Sequence, residues 1–258
     1  MPAKSATLPA IFNLLLLLLT LFANYLANAL PMAGRLTGEV SNLYPTLFTP
    51  AGFTFAIWGV IYLLLLGFGV FQARFIGKPT PVFLQKSGWL FGLSCMANAV
   101  WLPAFHYLQF GLSLLIILVL LGSLLALYLR LDIGRATVSA GERWFVHLPF
   151  SVYLGWVTVA TIANASILLL QLGWAGQPFG EVFWTVFVLA AATGVGLWAL
   201  ISRRDVAFAL VLVWALYGIF SKRMADFGAD DGIVEGACVA AMAVLGVGVL
   251  WRLLPRRS

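Results

Sequence analysis

Residues 49–66 read TPAGFTFAIWGVIYLLLL, a stretch that is apolar enough to lie in a lipid bilayer. Within it, Thr54, Trp58 and Tyr62 recur every four residues, so a helix would align the three side chains on one face. Pro50 stands in the first turn of this expected helix, where its missing N–H does no harm. A helix that contacts only lipid has no use for such a stripe. The pattern therefore predicts one wall of a pocket inside a helical bundle.

The rest of the chain has the composition of an integral membrane protein. Its 258 residues are 62% hydrophobic and 9% charged, with a mean hydropathy of +1.01, whereas a soluble domain contains about a quarter charged residues. The net charge of +6 then belongs to loops at the membrane surface, and no nucleic-acid partner is expected. Cys95 and Cys238 both fall in apolar segments, which indicates neither a disulfide framework nor a metal-binding spacing.

Eight apolar segments can be drawn, each about long enough to cross a hydrocarbon core of about 30 Å. They cover residues 8–30, 51–74, 87–108, 111–130, 143–172, 179–201, 205–221 and 231–253. The pattern predicts an all-α integral membrane protein with about eight spans. A signal peptide with a cleavage-like site at residues 27–29 is the alternative for the first segment. A polar face of Asn13, Thr20, Asn24 and Asn28 favours a helix that is retained in the bundle.

The distribution of Lys and Arg predicts the orientation, because cytoplasmic loops carry an excess of these residues. With eight spans and a cytoplasmic N-terminus, twelve basic residues fall on the cytoplasmic side: Lys4, Arg74, Lys78, Lys86, Arg130, Arg135, Arg143, Arg203, Arg204, Arg252, Arg256 and Arg257. Only Arg35, Lys222 and Arg223 fall on the other side. Both termini are therefore expected in the cytoplasm, and the expected location is the bacterial cytoplasmic membrane.

The third and fifth segments repeat the polar and aromatic stripe of the second. In the third segment the stripe has spacings of four, three and four: Ser94, Asn98, Trp101 and Phe105. In the fifth it has spacings of three, four and four: Tyr153, Trp156, Ala160 and Asn164. A side-chain amide that faces lipid is costly, so both Asn residues should face the bundle. Any one stripe is explained by packing between helices, but three stripes on neighbouring helices favour a ligand pocket.

The last three segments have a different character. They contain pairs of small residues four apart, which let helices approach closely and usually serve packing alone: Ala190 and Gly194, Ala192 and Gly196, and Gly232, Gly236 and Ala240. Trp184 could extend a pocket but is interpreted as core. Trp174 lies near a helix end and is interpreted as an interfacial anchor without a further function.

The three stripes resemble those of the tryptophan-rich sensory protein / translocator protein family (TspO/MBR), which has a five-helix membrane fold. Its second helix begins with a proline pair, for which Thr49-Pro50 stands here, and Trp58 and Tyr62 follow at the expected offsets. The motifs of its third and fifth helices match in type and spacing: Asn98, Trp101, Pro103 and Phe105, then Tyr153, Trp156, Ala160 and Asn164. The resemblance covers residues 8–172. It implies a TspO-like five-helix bundle over residues 1–172 and a three-helix transmembrane extension over residues 173–258.

The resemblance also implies a function. The protein would be a membrane receptor, sensor or transporter-type protein that binds a flat hydrophobic ligand, a porphyrin or related tetrapyrrole, between its helices. The ligand-binding residues would be Trp58, Tyr62, Asn98, Trp101, Tyr153, Trp156, Ala160 and Asn164. No cofactor is required, although a porphyrin is a possible ligand. The expected partners are that hydrophobic small molecule, membrane lipids and a second copy in a homodimer.

Two alternatives remain open from the sequence. The chain could be a membrane packing or partner protein whose tryptophan-rich face is only core, or it could facilitate the passage of small lipophilic compounds. Catalytic residues and metal ligands are not expected, and the chain is interpreted as not being an enzyme. All nine acidic residues fall in predicted loops or at helix ends, so no pair of carboxylates inside the membrane is available for acid–base chemistry.

Overall fold

The computed structural model describes residues 5–30, 32–226 and 232–254. Lys4, Arg256 and Arg257, used above for the orientation, lie outside these residues, as do the acidic residues Asp230 and Asp231. Within the described part the structure is helical, and eight of its helices are long and apolar enough to cross a membrane. The prediction of an all-α protein with eight spans is confirmed.

The eight long helices correspond one to one with the eight predicted segments. They are α1 (Thr7–Ala29), α2 (Ile57–Ala73), α3 (Val82–His106), α4 (Phe110–Arg130), α5 (Leu148–Gln171), α6 (Glu181–Arg203), α7 (Val206–Ala225) and α8 (Ile233–Leu253). A 3₁₀ turn, Gly52–Ala56, leads directly into α2. A π-helical turn, Arg143–His147, leads into α5. The connection between α1 and α2, expected as a loop, contains a short helix, Thr37–Asn42.

The third helix begins earlier than its apolar segment. It is interrupted at Gly88, where φ is +46° and ψ is −134°, a conformation that a residue with a Cβ adopts only under strain. The residues ahead of Gly88 therefore extend α3 back to Val82, but they do not share the axis of the apolar part of the helix. The predicted start at residue 87 marks this break in the helix.

The chain forms two compact units, each built from two separate stretches of sequence. The first contains Met1–Leu36 and Ala56–Val157, and the second contains Thr37–Phe55 and Thr158–Ser258. The resemblance groups all of α5 with the first four helices, and in the structure α5 up to Val157 lies in the first unit and the rest in the second. That residues 1–172 form a domain of their own stays a prediction.

In the first unit, α3 packs along both α1 and α4. Its core includes three fully buried phenylalanine rings from three helices, Phe68 of α2, Phe91 of α3 and Phe150 of α5. The centroid of Phe68 lies 4.9 Å from that of Phe91 and 5.1 Å from that of Phe150, both with edge-on geometry. Each such pair contributes about 0.5–1.5 kcal/mol beyond simple burial, which matters in a membrane, where packing rather than water exclusion holds helices together.

In the second unit, α8 packs against α6 and α7. Of the three sets of small residues, only the Ala192 and Gly196 set is buried, with Gly196 facing Leu212 of α7 and Leu245 of α8. The other sets, Ala190 with Gly194 and Gly232 with Gly236 and Ala240, are exposed. Within this unit, close packing between helices therefore explains one set of small residues, Ala192 with Gly196.

The 3₁₀ turn before α2 is attached to α7 within the second unit. The Ala51 N–H donates to the Gly218 carbonyl at 2.9 Å, and the Trp214 indole N–H donates to the Thr54 carbonyl at 3.0 Å. Thr54 is buried against Gly218. Thr54 thus belongs to the second unit, although the sequence places it on one stripe with Trp58 and Tyr62, which belong to the first.

Candidate functional site

An aromatic cluster in the first unit is centred on Trp58. Its ring lies 5.5 Å from the Tyr62 ring and nearly parallel to it, and 6.2 Å from Trp101, 6.0 Å from Tyr153 and 6.2 Å from Trp156, measured between centroids. Trp101, Tyr153 and Trp156 are buried, whereas Trp58 and Tyr62 are half-buried. Helices α2, α3 and α5 therefore present one continuous aromatic surface whose accessible part is formed by Trp58 and Tyr62.

A hydrogen-bonded chain of side chains runs beside these rings through four helices. Tyr62 of α2 donates its hydroxyl proton to the Asn24 side-chain oxygen of α1. The Asn24 amide donates to the Asn98 side-chain oxygen of α3 at 2.8 Å, and the Asn98 amide donates to the Tyr153 hydroxyl of α5, also at 2.8 Å. Because each link joins a different pair of helices, the chain fixes the orientation of both tyrosine rings relative to Trp58.

Asn24 is the member of this chain that the sequence analysis did not assign to the site. Its side chain is buried and also donates to the Thr20 carbonyl at 2.9 Å. Thr20 in turn donates to the Cys95 carbonyl of α3 at 3.0 Å. The signal for Asn24 was its place on the polar face of α1. That face required a buried partner, but the spacing did not indicate which helix would supply it.

The arrangement determines which groups are available to a ligand. Asn98 accepts from Asn24 and donates to Tyr153, so both ends of its amide are engaged within the protein. The aromatic faces at Trp58 and Tyr62 remain accessible. Large ring faces with few free directional groups suit a flat apolar molecule better than a polar one.

Of the eight predicted site residues, six come together in and around this cluster: Trp58, Tyr62, Asn98, Trp101, Tyr153 and Trp156. Ala160 and Asn164 lie one and two turns further along α5, in the part of that helix that belongs to the second unit. Ala160 is half-buried and Asn164 is buried. Ligand binding by any of the eight stays a prediction.

The six residues in and around the cluster are Trp, Tyr and Asn, so they include no His, Cys, Asp or Glu. Among the described residues as a whole, no group of three or more His, Cys, Asp and Glu side chains is placed to hold a metal ion.

Comparison with known proteins gives one match. A family model described as TSPO-like protein matches residues 10–251. The match begins in α1 and ends in α8, so it takes in all eight long helices and not only the first five, to which the resemblance in the sequence had been limited. No curated protein and no solved structure matches the chain.

Proposed function

Because this chain belongs to the TSPO-like protein family, we propose that it is a multi-pass membrane receptor, sensor or transporter-type protein that binds a flat hydrophobic ligand. A porphyrin or related tetrapyrrole is the ligand class we propose. The ligand would lie against the aromatic cluster of the first unit, and binding rather than catalysis would be the function of the site.

One observation carries this proposal, which is the position of Trp58. Its half-buried indole contacts four aromatic rings on three helices, and the polar chain through Asn98 holds two of those rings in place. A planar macrocycle gains most from a rigid, preformed aromatic surface, because less side-chain freedom is lost on binding.

A second candidate function is supported by the hydrogen bonds of Asn98, whose side-chain oxygen and nitrogen each have a partner within the protein. A network that satisfies itself is also what a purely structural core requires. In that case the protein is a membrane packing or partner protein, and changes at Trp58 would affect stability without affecting any ligand.

The test is a titration of the detergent-purified full chain with protoporphyrin IX, followed by the absorbance of the porphyrin itself. The porphyrin signal is preferable to protein emission because the chain contains ten tryptophans. The variants are Trp58→Phe and Trp156→Phe. The matched control is Trp144→Phe in the same unit, where the indole is 62% exposed and outside the cluster.

Binding that is saturable and weakens about two- to tenfold in the two cluster variants would support the proposal if Trp144→Phe binds like the wild type. The expected loss comes from replacing an indole by the smaller phenyl ring, which offers less stacking surface. The melting temperature of each variant is measured alongside. Non-saturating absorbance changes of equal size in all four proteins would overturn the proposal in favour of the structural role. Net porphyrin flux into proteoliposomes would then separate a transporter, or a facilitator of small lipophilic compounds, from a receptor.

A further inference from the structure

The second unit contains a cleft of its own, with a volume of about 190 Å³. Its lining is mainly apolar and aromatic, with Phe48 from the connection before α2, Leu169 from α5, Trp174 from the connection after α5, and Trp184 and Val188 from α6. Among the described residues that line it, Glu181 is the only charged one. None of the lining residues belongs to the aromatic cluster of the first unit.

Glu181 is the first residue of α6. Its carboxylate accepts one hydrogen bond, from the Leu47 N–H at 2.8 Å. Within the described residues it has no other hydrogen bond and no ion pair. An acid in a first turn also interacts favourably with the helix dipole. Glu181 is exposed, so its carboxylate is open to a charged group that enters from solvent.

Two cations in this unit pair with another acid. Lys222 and Arg223, at the end of α7, both pair with Asp226, at 3.3 Å and 2.9 Å. Arg223 and Asp226 line a neighbouring cleft of about 370 Å³, and Glu181 lines that cleft as well. Glu181 therefore lines both clefts and forms an ion pair with neither Lys222 nor Arg223.

Two indole faces complete the apolar cleft. The rings of Trp174 and Trp184 lie 5.8 Å apart between centroids and are tilted by 54°. The Trp184 indole N–H donates to the Gly176 carbonyl at 3.1 Å, which orients that ring. An organic ammonium ion is recognised by aromatic ring faces close to a carboxylate that has no ion pair. The ring face and the carboxylate both attract positive charge.

We propose that this cleft binds a lipophilic organic cation, with a protonated amine or quaternary ammonium group at Glu181 and an apolar body against Trp174 and Trp184. A volume of about 190 Å³ is below the about 300–1,000 Å³ of sites for drug-sized ligands, so the ligand is small or places only its cationic end here. This site goes beyond the proposed function, because it shares no residue with the porphyrin site and selects the opposite charge from that of a porphyrin carboxylate.

The test is equilibrium dialysis of labelled benzyltrimethylammonium against the detergent-purified full chain. Wild-type protein is compared with Glu181→Gln, which removes the charge and keeps an oxygen that can accept from Leu47. The matched control is Glu39→Gln, since Glu39 is an exposed acid in the first turn of the helix Thr37–Asn42 and lines neither cleft. Phenylacetate serves as a probe of similar size and opposite charge.

We expect saturable binding of the cation, weakened about tenfold by Glu181→Gln and unchanged by Glu39→Gln. Trp174→Phe should weaken binding less than Trp174→Leu, because phenylalanine keeps an aromatic face. The Trp174 pair also tests the proposal if Glu181→Gln fails to fold. Equal cation binding by wild type and Glu181→Gln, equal binding by the two Trp174 variants, or saturable binding of phenylacetate in place of the cation would overturn it.

Discussion

The side-chain amide of Asn98 donates a hydrogen bond of 2.8 Å to the hydroxyl of Tyr153, and both side chains are buried between α3 and α5. Neither group has water as an alternative partner at that depth. This bond therefore joins the two helices that carry most of the aromatic cluster, and its removal leaves a buried polar group on the other helix.

Tyr153→Phe removes the acceptor and should lower the free energy of unfolding by about 1–2 kcal/mol, because the Asn98 amide loses its partner. Asn98→Ala should cost at least as much, since it also removes the acceptor used by Asn24. In a double-mutant cycle the two changes should couple by about 0.6 kcal/mol or more, up to about 1.7 kcal/mol, which are the average and the maximum for hydrogen bonds between membrane helices. Unfolding in mixed micelles measures these values, with Tyr25→Phe, an exposed tyrosine on α1, as the control. Additive effects would contradict the bond.

A second buried amide pair, in α1 and α2, predicts that a double change restores the stability that each single change removes. Asn13 donates to the Gln72 side-chain oxygen at 3.2 Å. The remaining amide atoms, Asn13 Oδ1 and Gln72 Nε2, have no hydrogen-bond partner within the described residues. Asn13→Leu or Gln72→Leu alone should cost about 1–3 kcal/mol, because the surviving amide is left buried and unpaired.

Replacing both Asn13 and Gln72 by Leu should restore stability to that of the wild type or above it, since two apolar side chains then fill the space without an unsatisfied group. Melting temperatures of the two single variants and the double variant provide the measurement. If the costs of the two single changes simply add in the double variant, the two amides do not interact with each other, and the pairing of Asn13 with Gln72 is contradicted.

The sequence predicted the six-residue aromatic cluster because helical periodicity determines which side chains share a face, and because amides avoid lipid. Periodicity says nothing about which residue on the next helix lies opposite. Asn24 was therefore seen as facing the bundle but not as the partner of Asn98 and Tyr62. The division of α5 between the two compact units is also not visible in the periodicity. Ala160 and Asn164 continue the stripe of Trp156, yet the helix passes from one compact unit into the other between Val157 and Thr158.

The eight spans were predictable because their number follows from the lengths of the apolar segments. The contacts that the connections between helices make could not be predicted in the same way. One cleft in the second unit is lined by residues from three places where helices are connected. They are Thr46 before α2, Glu181 where the α5–α6 connection ends, and Arg223 at the end of α7. Alternating spans place these connections on the same side of a membrane, but which of them touch depends on helix packing. Trp174, interpreted from the sequence as an anchor without a further function, lines the adjoining cleft.

Gly218 is the position where α7 is most sensitive to an added methyl group. A Cβ there would overlap the side chain of Thr54 in the 3₁₀ turn before α2. Gly218→Ala should therefore lower the free energy of unfolding by about 1–3 kcal/mol, the usual cost of overpacking. Thr54→Ala in the same background should restore part of this loss, because it removes two of the overlapping atoms. Gly194→Ala, where a Cβ would meet nothing within 4 Å, should cause no loss in the same melting experiment, and a stable Gly218→Ala protein would contradict the contact.

Variants of Tyr62 can distinguish a structural role of the cluster from a ligand-binding role, because the hydroxyl and the ring of Tyr62 have different partners. The hydroxyl donates to Asn24, whereas the ring is nearly parallel to Trp58 at 5.5 Å between centroids. Tyr62→Phe keeps the ring, so it should lower the melting temperature and leave the affinity for protoporphyrin IX within about twofold of wild type. Tyr62→Leu removes the ring and should weaken affinity about two- to tenfold further, the value of one aromatic contact. Porphyrin absorbance titrations and melts on the same samples measure both quantities. A Tyr62→Phe protein that melts like the wild type but loses porphyrin affinity would place the hydroxyl on the ligand and not on Asn24.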